Sequence, residues 1–437
     1  MISPQRSQEI IDALRRGTVP QRSLDAFAVG LEPFEEALGE ELTRVAGGAG
    51  VFKAVRGDYG SGKTFFARWL QERAKRRGFA TAEVQISETE TPLHRLETVY
   101  RRLIQRLSTS DTQQGALRGI LDAWFYALEE DVLAEGGVDE SDHAALLERT
   151  SALMEQRLAE VNRHAPAFAT ALRAYRRATT EGENSIADGI LAWLSAEPNV
   201  GMAAKRYAGL KGDVDHYGAL SFLQGLLIIL RDSGFSGLLL VLDEVETLQR
   251  VRSDVREKSL NALRQLLDEV DSGRFPGLYV LITGTPAFFD GPQGVRRLPP
   301  LAQRLEVDFN TDARFDNPRA PQIRLTAFNQ DRLEEVGRSI RDLYAEHAKS
   351  QQRILDLADD AYVTDLVTAV TGHLGGKVGI APRVFLKKLV GDVLDRIDQF
   401  EDFDPRRDYA LTIKDSELSE VERNAAAASP DDVELKL

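Results

Sequence analysis

Eight consecutive residues constrain this chain more than any others. Gly57-Asp58-Tyr59-Gly60-Ser61-Gly62-Lys63-Thr64 satisfies G-x-x-x-x-G-K-[ST], the Walker A or P-loop pattern, at every fixed position. Glycines let such a loop fold so that successive backbone N–H groups point inward at a polyphosphate, and a helix that follows adds the positive end of its dipole. The device works only between a strand and a helix, and the flanks comply. Val51 to Arg56 reads as a short apolar strand, the segment after Gly60 is helical through Arg77, Gly78 breaks it, and Phe79 to Ile86 returns as a strand. That is a βαβ unit, so the fold class is α/β with a parallel sheet flanked by helices. In this setting Lys63 reaches the β and γ phosphates, and the Thr64 hydroxyl is expected on Mg²⁺, a hard cation that keeps several waters and takes few protein ligands. The bland alternative is a chance glycine turn before a helix, and the strand and helix on either side argue against it.

Such a site needs an acidic pair at the carboxyl end of a buried strand. Leu238-Leu239-Leu240-Val241-Leu242-Asp243-Glu244 supplies one, a Walker B-like stretch. Asp243 is expected in the Mg²⁺ shell and Glu244 as the group that polarises a water attacking the γ phosphate, a positioning task rather than a covalent one. The competing role for Asp243 is to cap the next helix. A second apolar strand, Leu278 to Thr283, ends in hydroxyls; Thr283, with Thr285 second, is the candidate for orienting that water, unless it only forms the turn before Gly284 and Pro286. Arg296, Arg297 and Arg304 follow. Arg304 is the best placed of them to act on a neighbouring subunit's γ phosphate as an arginine finger, with simple surface solvation as the alternative. In Gly379-Ile380-Ala381-Pro382-Arg383 the arginine falls in the first turn of a late helix. It opposes the dipole there and calls for an anionic partner unless it is merely exposed.

Lys63 and Asp243 lie 180 positions apart, far more than one crossover needs. The excess, from Thr91 to Leu230, is almost wholly helical and reads as an insertion serving as a partner or substrate platform, or else as a subdomain that thickens the core. The expected organisation is residues 1–90 for an N-terminal segment and the first part of the core, 91–230 for the insertion, and 231–328 for the second part of the core. Three or four helices follow over 329–400, then a tail over 401–437 that is expected to be poorly ordered from Asn424. The N-terminal helix around Ser7 to Leu14, a helix over Pro33 to Val45, and a last strand over Gln322 to Phe328 complete the reading.

The net charge of −14 argues against a protein that coats a polyanion with its whole surface, though not against a local basic channel. With no cysteine, thiol catalysis, disulfides and zinc ribbons are excluded and a reducing, cytoplasmic setting is the default. No apolar run approaches the roughly 20 residues of a membrane helix, and Arg6, Glu9, Asp12 and Arg15 interrupt any leader-like segment. The six histidines show no metal spacing, so Mg²⁺ is the one metal implied. Lys75-Arg76-Arg77 complements the dipole at the end of its helix. Arg173, Arg176 and Arg177 around Tyr175 form a basic stretch interleaved with an aromatic; a solvated helix face is preferred there over a nucleic-acid contact.

In this order, P-loop, acidic pair, polar strand end, candidate finger and helices with Pro382-Arg383, the chain resembles an initiator-like AAA+ ATPase over most of residues 28–400. More specifically it resembles the BREX-system ATP-binding proteins of the BrxC/BrxD type, P-loop proteins of bacterial phage defence. The traits are Glu9 to Pro20 (EIIDALRRGTVP), Phe27 to Gly30 (FAVG), Trp193-Leu194 and Gly237 to Glu246 (GLLLVLDEVE). The resemblance implies an AAA+ fold, ATP binding and an operon setting with helicase, nuclease or methyltransferase partners. It further implies adenine contact by Thr18 to Gly30 and a sensor role for Arg383 on a helical lid. Initiator-like relatives often append a DNA-binding winged helix, whereas only 37 residues follow Phe400 here, so direct DNA contact would need a ring channel or the insertion. The resulting expectation is an ATP- and Mg²⁺-dependent ATPase, a homo-oligomer acting on DNA or on a DNA-bound complex. The alternative is an ATP-gated scaffold that recruits partners, hydrolyses slowly and binds no DNA. A small-molecule kinase on the same loop is disfavoured, because Arg304 and Arg383 suit intersubunit sensing better than a phosphoryl acceptor.

Overall fold

A computed structural model describes residues 3–136, 139, 141–373 and 382–413. Five strands form one sheet: β1 (Val51–Arg56), β2 (Phe79–Gln85), β3 (Gly237–Asp243), β4 (Leu278–Gly284) and β5 (Gln322–Arg324), in the order β2-β3-β4-β1-β5. β3 and β4 are buried along their whole lengths, as their unbroken apolar sequences require of strands covered on both faces. β2 pairs with β3 in parallel with Gln85 opposite Asp243, and β3 pairs with β4 in parallel with Leu242 opposite Ile282. This register brings Gln85, Asp243 and Thr283 to one level at the strands' carboxyl ends, where α/β sheets bind ligands.

Two compact units make up the chain. One comprises Leu38–Ala54 and Arg73–Val307, the other Met1–Ala37, Val55–Glu72 and Asp308–Leu437.

In the first, seven helices run between β2 and β3: α4 (Leu96–Arg106), α5 (Leu117–Glu135), α6 (His143–His164), α7 (Pro166–Thr180), α8 (Asn184–Leu194), α9 (Met202–Ala208) and α10 (His216–Asp232). They follow α1 (Pro4–Arg15), α2 (Glu32–Ala46) and α3 (Lys63–Arg76) in chain order. The aromatic centre of the seven is Phe222, whose ring meets Tyr100, Phe168 and Trp193 edge-on at 5.9, 5.2 and 5.3 Å. Beneath the sheet lies a group that hydropathy does not reveal. Lys53 of β1 is 1 % exposed and its ammonium meets Glu41 of α2 at 2.6 Å, while the Tyr279 hydroxyl of β4 donates to the same carboxylate. A buried charge survives there because it is paired and hydrogen-bonded. Burial pulls the Lys53 ammonium below its ordinary range, and burial with the Glu41 charge pushes the Tyr279 phenol well up.

In the second unit, among the described residues, β5 is followed by α14 (Gln330–Ala345), α15 (Gln351–Leu357), α16 (Asp360–His373), a last long helix that starts as α17 (Pro382–Lys387), and a single helical turn at Pro405–Asp408. α11 (Ser253–Asp271), α12 (Pro286–Asp290) and α13 (Pro299–Leu305) precede them in the chain. The last long helix passes through a π-helical stretch, Lys388–Leu394, and ends as Asp395–Gln399. Arg15 of α1 is fastened to it by a bidentate pair with Asp395 at 2.6 and 2.8 Å, and the Tyr344 hydroxyl donates to the same carboxylate at 2.9 Å.

Two elements differ from the sequence expectation. β5 is three residues long instead of reaching Phe328, because its partner strand ends at Arg56; after the Leu325 amide donates to the Arg56 carbonyl at 2.8 Å no strand edge remains to pair with. After β3 the chain does not enter a long helix directly. Glu244 stands in the left-handed region at φ +60°, a 3-10 turn spans Val245–Gln249, and α11 begins only at Ser253. The tail from Asn424 lies outside the described residues.

Candidate functional site

The glycine-rich segment expected to be a P-loop leaves β1 at Gly57 and enters α3 at Lys63. Gly60 and Gly62 stand at φ +79° and +89°, conformations that side-chain-bearing residues rarely adopt, and a Cβ on Gly57 would collide with Ser61 Oγ. The loop's glycines are therefore required by its shape. Lys63 is buried, and its ammonium donates to the Gly57 and Asp58 carbonyls at 2.8 and 3.2 Å and sits 5.1 Å from the centre of the Tyr59 ring. These contacts draw the ammonium back over the loop's own backbone. Thr64 occupies the second position of α3. The segment Thr18 to Gly30 is tied to the same helix: Glu72 accepts from the Ser23 and Leu24 amides at 2.9 Å each, Asp25 accepts from the Trp69 indole at 2.9 Å, and Arg68 donates to the Val19 carbonyl at 2.7 Å. Arg383 lies in the first turn of α17, exposed, with Gly17 close to its side chain; Gly379 to Ala381 lie outside the described residues.

The acidic pair is built around one hydroxyl. Thr283, fully buried at the end of β4, donates to Asp243 Oδ1 and accepts from the Glu244 amide at 3.2 Å. One side chain thereby fixes both acids. Gln85 Nε2 donates to Glu244 Oε2 at 2.8 Å, and Thr247 Oγ1 donates to the Glu244 carbonyl at 3.0 Å, so Thr283 and Thr247 hold the left-handed backbone of Glu244 while Gln85 holds its side chain. No side chain caps the 3-10 turn that follows. Thr285 is buried at the N-terminal cap position of α12, which no side chain caps.

The family profile described as BREX system ATP-binding protein BrxC/D matches residues 2–413. The chain belongs to this family. No curated protein matches it.

In this BrxC/D-family chain the remaining candidates are placed as follows. Arg304 on α13 is 40 % exposed and meets Asp268 at 2.7 Å and Asp271 at 3.0 Å, both on α11. Arg297 donates to Gln293 and Ser253 at 3.1 and 3.3 Å. Arg173 forms a bidentate pair with Glu155, Arg176 pairs with Glu129, and Arg177 donates to the Tyr207 carbonyl at 2.7 Å. Tyr175 between them is fully buried, with its hydroxyl on Asp122, so this stretch offers no aromatic to a base. Among the described residues no helix is long and apolar enough to cross a membrane.

Sequence reasoning missed Gln85. Nothing in a linear motif marks a glutamine 159 positions from the acid it holds; only the β2–β3 register does.

Proposed function

We propose that this protein is an AAA+ ATPase that hydrolyses ATP with Mg²⁺, working as an oligomer on DNA or a DNA-bound complex in bacterial anti-phage defence. The observation that carries the reading is the Thr283 hydroxyl binding the Asp243 carboxylate and the Glu244 amide at once, with Gln85 on the Glu244 carboxylate. Support also comes from the ATP-binding description of the family.

The loop suits a polyphosphate: a Cβ on Gly57 would collide with Ser61, Gly60 and Gly62 hold positive φ, and the Lys63 ammonium lies over the loop carbonyls. The loop amides and Lys63 take the β and γ oxygens, so binding energy goes into positioning. Thr64 and Asp243 are hard oxygen donors and would hold Mg²⁺, which when bound neutralises charge developing on the phosphoryl oxygens. Glu244 orients the attacking water and accepts its proton as the bond to phosphorus forms. Thr283 keeps the two carboxylates in separate roles. Arg304 as the finger and Arg383 as the sensor of the helical lid complete the proposal, and the segments 1–90, 91–230, 231–328 and 329–400 are its working parts.

A second reading rests on charge. Residues 91–230 carry 14 Lys and Arg against 19 Asp and Glu, and the arginines of α7 are all engaged. An acidic insertion favours a protein partner over DNA, which is the ATP-gated scaffold with slow hydrolysis. Mass photometry of the Glu244→Gln protein with ATP and Mg²⁺, then with duplex DNA, separates the two. A closed oligomer that retains DNA supports the DNA-acting machine, and an ATP-dependent species that ignores DNA supports the scaffold. A monomer indifferent to both refutes oligomeric action.

A further inference from the structure

Away from the P-loop, a groove of about 540 Å³ opens between the start of α4, the α8–α9 loop and the start of α10. That volume is in the range of small-ligand pockets. We propose that it binds a nucleobase carrying a phosphate, with the base stacked on Tyr217 and the phosphate facing Arg95. The ligand's source is either a free mononucleotide or one base of a single-stranded nucleic acid.

Four observations lead there. Tyr217 is 75 % exposed, the most exposed large apolar side chain among the described residues, and its ring stands edge-on to His216 at 5.4 Å, which leaves a ring face for stacking. The groove's walls are fixed: Arg101 Nε donates to the Ala196 carbonyl at 2.7 Å and the Trp193 indole donates to the Gly212 carbonyl at 3.1 Å. Ala196 and Asn199 sit at φ +55° and +59°, two of the four non-glycine residues in the left-handed region among those described, and Glu244 is another. Ala196 is the left-handed residue that ends α8, with the Glu197 amide on the Ala192 carbonyl at 3.0 Å, so the helix end fixes this edge of the groove.

The fourth observation is the state of the charged groups. Three carboxylates line the groove and each is already engaged: Glu97 by Arg95 at 3.0 Å, Asp213 by Lys205 at 2.7 Å, and Asp215 by the Gly218 amide at 2.8 Å. Arg95 makes that pair through Nε while its side chain stays 58 % exposed. Burial, then the Lys258 and Arg95 charges, holds the His94 imidazole below its ordinary value. The insertion's net negative charge argues against a long polyanion track across its surface. Recognition must therefore be local, by a ring and a cation, which is what a nucleobase with its phosphate requires.

The test uses the full chain carrying Lys63→Ala, which removes the P-loop's phosphate ligand, and Tyr217→Trp as a reporter. AMP and a short oligo-dT are titrated separately while indole fluorescence and heat are recorded. Saturable quenching by AMP assigns the site to a free nucleotide; quenching by oligo-dT alone assigns it to single-stranded nucleic acid. In either case Tyr217→Ala and Arg95→Ala in the Lys63→Ala chain each weaken binding about tenfold or more, with melting temperatures unchanged because both side chains are exposed. Binding of neither probe, or binding that survives Tyr217→Ala, overturns the proposal. Binding lost with Lys63→Ala alone reports the P-loop and leaves that reading intact while this one falls.

Discussion

Replacing Thr283 by valine keeps the shape of a fully buried side chain and deletes one hydroxyl that serves two partners. The Asp243 carboxylate, itself 4 % exposed, loses a donor, and the Glu244 amide loses its acceptor. A hydrogen bond to a charged group contributes about 1.5–3 kcal/mol, and an orphaned buried amide costs about 1–3 kcal/mol; with partial relaxation the sum is about 3 kcal/mol. For a body of this size that corresponds to a fall in melting temperature of roughly 6–12 °C. Thr283→Ser keeps the hydroxyl, loses one buried methyl and costs about 1 kcal/mol. Calorimetry of the three proteins measures the stability side, and phosphate release measures the other. Turnover falls about tenfold or more in the valine protein, since both acids lose their common anchor, and stays within a few-fold in the serine protein. A valine protein as stable and as active as its parent would refute the claim that this hydroxyl organises the pair.

Gln85→Ala frees the Glu244 carboxylate and lowers turnover several-fold with nucleotide affinity unchanged; a parallel loss of affinity in equilibrium titration would assign Gln85 to binding instead. Lys53→Met leaves Glu41 buried without its cation and costs about 3–5 kcal/mol, read as a lower denaturant midpoint. Tyr279 has its phenol pushed above the ordinary value of 10.0, so the stability it contributes is complete below pH 10.0 and is lost as pH rises toward its folded value. Tyr279→Phe accordingly flattens the alkaline limb of a stability–pH curve while lowering stability near neutrality.

The elements that local chemistry dictates were legible in the sequence. Gly57–Thr64 is a contiguous pattern that runs between β1 and α3, and Asp243-Glu244 follows the most apolar run in the chain, so the strands and helix around both lie where the sequence places them. What a linear reading could not reach depends on which strands become neighbours. Lys53 looks like a surface residue in a short strand until α2 and β4 bring Glu41 and Tyr279 to it. Gln85 acquires meaning only from its register with Asp243. The α7 arginines look like a basic stripe until acids on α5 and α6 take Arg176 and Arg173 and burial removes Tyr175. β5 is short for a reason that lies in its partner, which ends where the P-loop begins.

Release of labelled phosphate from ATP by the parent protein, Lys63→Ala and Glu244→Gln, with nucleotide binding followed on the same samples, bears most directly on whether this is an ATPase. The expected result is Mg²⁺-dependent release by the parent, binding without appreciable release by Glu244→Gln, at least a hundredfold slower, and neither by Lys63→Ala. Undiminished release by Glu244→Gln, or undiminished binding by Lys63→Ala, would contradict the assignment of hydrolysis to the acidic pair and of phosphate binding to the loop.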